Sequence, residues 1–106
     1  MSRSNSDQDQ QQLQDAIQKS LQDIAVQMGE PIAPETAQQV YQQAVDLLNH
    51  IDYEPITLAR VAATLLVYQL HAIELEKLDW LKLQIQAATE AEEVEELIES
   101  MSRESL

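Results

Sequence analysis

His50 and His71 are the two histidines of the chain, and each has a carboxylate at helical spacing. Asp46 stands four residues before His50, and Glu74 three residues after His71. On a helix those spacings set two potential metal ligands on one face. Four such ligands from two helices could hold a metal ion. The carboxylate-bridged di-iron pattern needs more, namely Glu-x-x-His on two helices and two further inward glutamates. That set is absent, so neither a metal nor another cofactor is expected. His71 lies in an apolar run, where a lone histidine is more often a hydrogen-bonded core residue.

Other chemistry is thinner still. The chain has no Cys, which removes thiolate ligands, disulfides and cysteine nucleophiles. A single Gly leaves no room for a glycine-rich phosphate loop. Most serines fall in the termini, outside any preformed pocket. No catalytic residue is therefore expected, and the chain reads as non-enzymatic.

Three features point to contacts rather than catalysis. Arg60 is the only base between Lys19 and Lys77. On an apolar helix it either pairs with Glu54 or Asp46 of its own chain or anchors a partner carboxylate. Trp80 sits at the edge of an apolar stripe, as core packing or as an interface anchor. Residues 90–99 hold six Glu and no base. They are a solvated helix face, or an acidic surface offered to a basic partner.

The formal net charge is −13, from nineteen acids and six bases over 106 residues. A nucleic-acid surface is implausible at that balance, because affinity for phosphates comes from Lys and Arg. An anionic membrane would repel it equally. The charge is uneven: residues 74–106 carry −7, and residues 1–73 carry −6. The N-terminus lacks a signal-peptide apolar core. The apolar run Leu58–Ile73 is shorter than the roughly 20 residues of a membrane span. A cytoplasmic location is expected.

These residues must be positioned by helices. One Gly and three Pro are too few turn formers for a sheet protein. Leu13, Ile17, Leu21, Ile24 and Met28 recur at spacings of four or three, predicting a helix over about 9–28. Gly29 is placed to end it in the left-handed conformation, with Pro31 beyond. Pro34 opens a second helix, running to near His50, with Ala37, Val40, Tyr41, Ala44, Val45, Leu47, Leu48 and Ile51 on one side. Thr57 is expected to cap a third helix. That helix is apolar nearly all round to Ile73, so it should be the central element. Strong helix formers continue it to Ala88. A helix over 57–88 would be roughly 48 Å long, against about 26 Å for the second helix.

The distal part carries two opposed apolar stripes. Leu78, Leu81, Ile85 and Ala88 form one; Trp80, Leu83 and Ala87 form the other. Something should pack on both sides, and a second subunit or partner is expected for one of them. Thr89 and Glu92 have capping-box spacing. Val94, Leu97, Ile98 and Met101 then stripe a short helix over about 90–102.

The expected fold is all-α: a helical bundle of three long helices plus a short acidic C-terminal helix, completed by dimerisation. Residues 1–8 form a flexible tail, 9–102 one domain, and 103–106 a frayed end. The expected function is that of a small acidic interaction protein (an adaptor, small chaperone or regulator) working through helix–helix contacts with a protein partner or a second copy. Leu78, Trp80, Leu81, Leu83 and Ile85 are its expected interface, and Glu92, Glu93, Glu95 and Glu96 its acidic face. Two alternatives stay open: an acidic decoy that blocks a basic protein, and a small metal-binding bundle.

Overall fold

The computed structural model describes residues 2–70 and 75–104. Among these, every regular element is a helix: α1 Ser2–Gln27, α2 Pro34–Leu48, α3 Pro55–Leu70, α4 Leu75–Ala87 and α5 Ala91–Glu104. Ile17 and Leu21 of α1, Val40 and Leu48 of α2, Leu65 of α3, Leu81 and Ile85 of α4 and Val94 of α5 meet in one hydrophobic core.

The stop after α1 is the one the sequence indicates. Gly29 has φ +82°. Its N–H reaches the Val26 carbonyl at 3.0 Å, and the Glu30 N–H reaches that of Ala25 at 2.9 Å. This 5→2 and 6→1 pair is the Schellman closure, which needs a left-handed residue at that position. At the other end, α1 extends from Ser2 rather than from Asp9. No Pro or Gly interrupts Ser2–Gln27, so nothing breaks the helical backbone earlier.

Pro34 begins α2 with a φ already suited to a helix. Ala37, Val40, Ala44, Leu47 and Leu48 are its buried face. Helix α3 is the hub: it packs against α1, α2, α4 and α5. Thr57 does not cap it. The N–H groups of Thr57 and Leu58 bond to the carbonyl of Glu54, so α3 starts from Glu54 with Pro55 in its first position. Thr57 is instead the third helical residue, and it is buried.

The single helix expected over 57–88 is two helices, α3 and α4, making five elements rather than four among the described residues. They pack against one another, which the two ends of one straight helix cannot do. The reason lies in burial. An extension beyond Leu70 would carry Leu78, Leu81 and Ile85 past the cover of α2, which is only about 22 Å long. As a separate helix, α4 returns those side chains to the common core. His71 and Glu74 lie outside the described residues.

Helix α5 has the expected stripe, with Val94 and Met101 buried and Leu97 and Ile98 half-buried. Its start differs in detail. The Thr89 hydroxyl donates to the Glu93 carboxylate at 2.7 Å rather than to a backbone group in a Thr89–Glu92 box. Glu90 supplies the carbonyl that accepts from the Glu93 N–H.

Candidate interaction face on α4

The two opposed stripes of α4 have opposite fates. Leu78, Leu81, Ile85 and Ala88 are buried within the chain. Trp80 is 48% exposed and Leu83 63% exposed, and Ala87 is exposed beside them. At 3.6 residues per turn, Trp80, Leu83 and Ala87 fall within about 60° of one another. They form an outward ridge on the side of α4 away from the core.

The five expected interface residues therefore divide. Leu78, Leu81 and Ile85 are core residues of this chain, and their side chains are not available to a partner. Trp80 and Leu83 are the two that face outward. The division follows from helix geometry, because positions three and four apart share a face while 80 and 81 do not.

Around the ridge, α4 carries Glu76, Lys77, Asp79 and Lys82, two acids and two bases. Glu76 falls between Trp80 and Leu83, Asp79 and Lys77 stand on the two flanks, and Lys82 lies toward the core side, half-buried. The surface here is electrically balanced within a chain of net charge −13.

The acidic face on α5 is also divided. Glu95 turns inward. One of its carboxylate oxygens accepts a hydrogen bond from the Thr57 hydroxyl at 2.9 Å, and the other pairs with the Arg60 guanidinium. This is the intrachain partner of Arg60, in place of Glu54 or Asp46. Glu93 is held by Thr89. Glu92 and Glu96 are exposed. An open cleft of about 570 Å³ lies beside the Glu95 contact, lined among others by Tyr53, Ile56, Arg60 and Glu92.

Asp46 and His50 are also otherwise engaged. Asp46 accepts from the Gln42 side-chain amide at 3.1 Å. His50 Nε2 donates to the carbonyl of Ala88 at 2.9 Å, which ties the end of α2 to the end of α4. Among the described residues, no three His, Asp or Glu side chains converge as metal ligands. Also among the described residues, no helix is long and apolar enough to cross a membrane.

Sequence spacing gave no sign of the Thr57–Arg60–Glu95 and His50–Ala88 contacts. The only pointer was the isolation of Arg60, a lone base that had to find a carboxylate somewhere. Comparison with protein-family models, characterised proteins and solved structures found no match for the chain.

Proposed function

We propose that this chain is a non-enzymatic interaction protein, an adaptor, small chaperone or regulator, that presents the outward ridge of α4 to a helix of a protein partner. The observation that carries this reading is the exposure of Trp80 and Leu83 on a helix whose other apolar stripe already fills the core. A large aromatic beside an aliphatic side chain is the kind of anchor that dominates protein–protein contacts. Nothing in the core requires either residue to be apolar.

A photo-crosslinking amino acid at position 83, expressed in the native cell, tests the reading. One discrete protein adduct is expected from position 83 and none from position 39, an exposed site on α2. No adduct from position 83, or the same adducts from both positions, overturns it.

The outward carboxylates Glu92, Glu96 and Glu99 share one side of α5 and support a second reading, in which they receive a basic protein. Replacing all three with Gln should then abolish salt-sensitive capture of that protein, and unchanged capture removes the reading.

A further inference from the structure

We infer that the cleft beside the Arg60–Glu95 pair seats a basic segment of a protein partner, one that carries a large apolar residue between arginines. The inference rests on the basic-partner reading of α5 and moves its contact from the outer side of that helix into the cleft. At about 570 Å³ the cleft falls within the roughly 300–1,000 Å³ of ordinary ligand sites. Its walls come from two places in the chain. Tyr53 and Ile56 lie at the start of α3, and Ala91 and Glu92 at the start of α5. Ile56 is 53% exposed, whereas the other large aliphatic side chains of α3 are buried or half-buried. It is an uncovered apolar anchor in the cleft wall.

The charge of the cleft is one-sided. Asp52, Glu54, Glu92 and Glu95 line it against one base, Arg60. Glu95 takes up Arg60. Among the described residues, the side chains of Asp52, Glu54 and Glu92 have no hydrogen bond or ion pair. Acids near a helix N-terminus complement the helix dipole, and α3 and α5 both begin here. Two such ends offset about one unit of charge, which leaves about two negative charges uncompensated.

That excess selects the occupant. Among the described residues the carboxylates do not converge as metal ligands, so a compact divalent ion finds no cage. They rim an apolar wall instead. A long basic side chain lays its aliphatic stem on such a wall and reaches the carboxylates with its head. Arginine fits better than lysine, because its guanidinium pairs with carboxylates in a fork and stacks on an aromatic ring such as that of Tyr53. A leucine between arginines adds a side chain for Ile56. A cation without apolar groups matches only half of the cleft.

The net charge of −13 draws any cation toward the chain, so the deciding control is a variant of equal charge. The probe is the acetylated and amidated peptide Arg-Arg-Leu-Arg-Arg, titrated into the whole protein in about 0.15 M salt and followed by amide NMR. Saturable shifts are expected at Tyr53, Ile56 and Glu92, with a dissociation constant of about 1 mM or tighter. The triple variant Asp52→Asn, Glu54→Gln, Glu92→Gln should bind roughly tenfold more weakly. The triple variant Asp23→Asn, Glu30→Gln, Glu35→Gln removes the same charge outside the cleft and should change binding less than about twofold. Ile56→Ser, or serine in place of the leucine of the peptide, should weaken binding about three- to fivefold. Glu96→Gln with Glu99→Gln should bind like the parent. Every replaced side chain is exposed, and thermal melts confirm that the variants fold.

Equal losses in the two triple variants overturn the inference. So does a serine peptide that binds as well as the leucine peptide, because charge alone then explains the binding. Weakening by Glu96→Gln with Glu99→Gln, while the cleft triple variant binds like the parent, puts the basic partner on the outer side of α5. The basic-partner reading then stands and the cleft falls. A parent that shows no saturable shift with the peptide removes both.

Discussion

The contact that holds α5 on α3 can be dissected by substitution. Glu95 meets two groups of unequal weight. Thr57 is only 3% exposed, so losing the acceptor of its hydroxyl leaves a buried donor without a partner. That penalty is about 1–3 kcal/mol. Arg60 is different: its side chain is 51% exposed and that of Glu95 25%, so water screens the pair. Such a pair contributes about 0–1 kcal/mol. Glu95→Ala should therefore destabilise by about 2–3 kcal/mol and lower the melting temperature by roughly 10 °C. Glu95→Gln keeps an amide oxygen for Thr57 and loses only the charge, so about 1 kcal/mol or less is expected. Arg60→Ala should match Glu95→Gln. Thr57→Val should fall between, and in its background Glu95→Ala should cost about 1–2 kcal/mol less than in the parent. Urea unfolding followed by circular dichroism at one fixed protein concentration supplies all these values. The reasoning is refuted if Glu95→Gln is as damaging as Glu95→Ala, or if the Thr57 and Glu95 substitutions are additive. Either result would assign the attachment of α5 to the ion pair or to the Val94 stripe.

The two stripes of α4 should separate cleanly in stability. Leu81→Ala opens a cavity at a fully buried site and should cost about 2–5 kcal/mol; Leu83→Ala should stay within about 0.5 kcal/mol in dilute protein. Equal losses at 81 and 83 in chemical denaturation would contradict the assignment of faces. Burial raises the Tyr41 phenol above its ordinary 10.0, with the neighbouring Tyr53 adding to the effect. The fold thus favours neutral Tyr41 over the phenolate more than the unfolded chain does. Stability from this source is intact below pH 10 and declines as pH rises through the folded value; Tyr41→Phe should flatten that alkaline decline in pH-dependent melts. Gly29 has open space where a Cβ would stand, so Gly29→Ala meets only the backbone penalty of its positive φ. That penalty is about 1–2 kcal/mol, and Gly29→Asn should recover part of it in the same unfolding measurement.

What could be read from the residues was local. Gly29 marks the end of α1, because a positive φ and a missing Cβ go together. The α2 and α5 stripes repeat at three and four, and burial follows them. The break between α3 and α4 was not legible in the same way. No Gly or Pro falls between Leu58 and Ala88, and propensity alone carries one helix through. Tertiary burial decides otherwise, since only a separate α4 returns Leu78, Leu81 and Ile85 to the core. A trace was present nonetheless: the run that is apolar all round changes to two opposed stripes at Leu78. Trp80 and Leu83 could be placed on the second stripe, but periodicity does not say which stripe faces inward. Glu95 illustrates a different barrier. Its partners Thr57 and Arg60 are 38 and 35 residues away, and no spacing rule reaches across a turn of the chain.

That distance also bears on the order of assembly. The His50–Ala88 and Thr57–Glu95 hydrogen bonds both join residues 38 apart. Closing a chain segment of that length takes roughly 3 kcal/mol of entropy before either bond forms. Neighbouring helices are joined far more closely, by six residues between α1 and α2 and six between α2 and α3. Contacts between such neighbours are expected to form first, with the His50–Ala88 and Thr57–Glu95 bonds closing afterwards. On this account the two bonds are late fasteners, which fix the end of α4 and the start of α5 only once the helices they join already lie together.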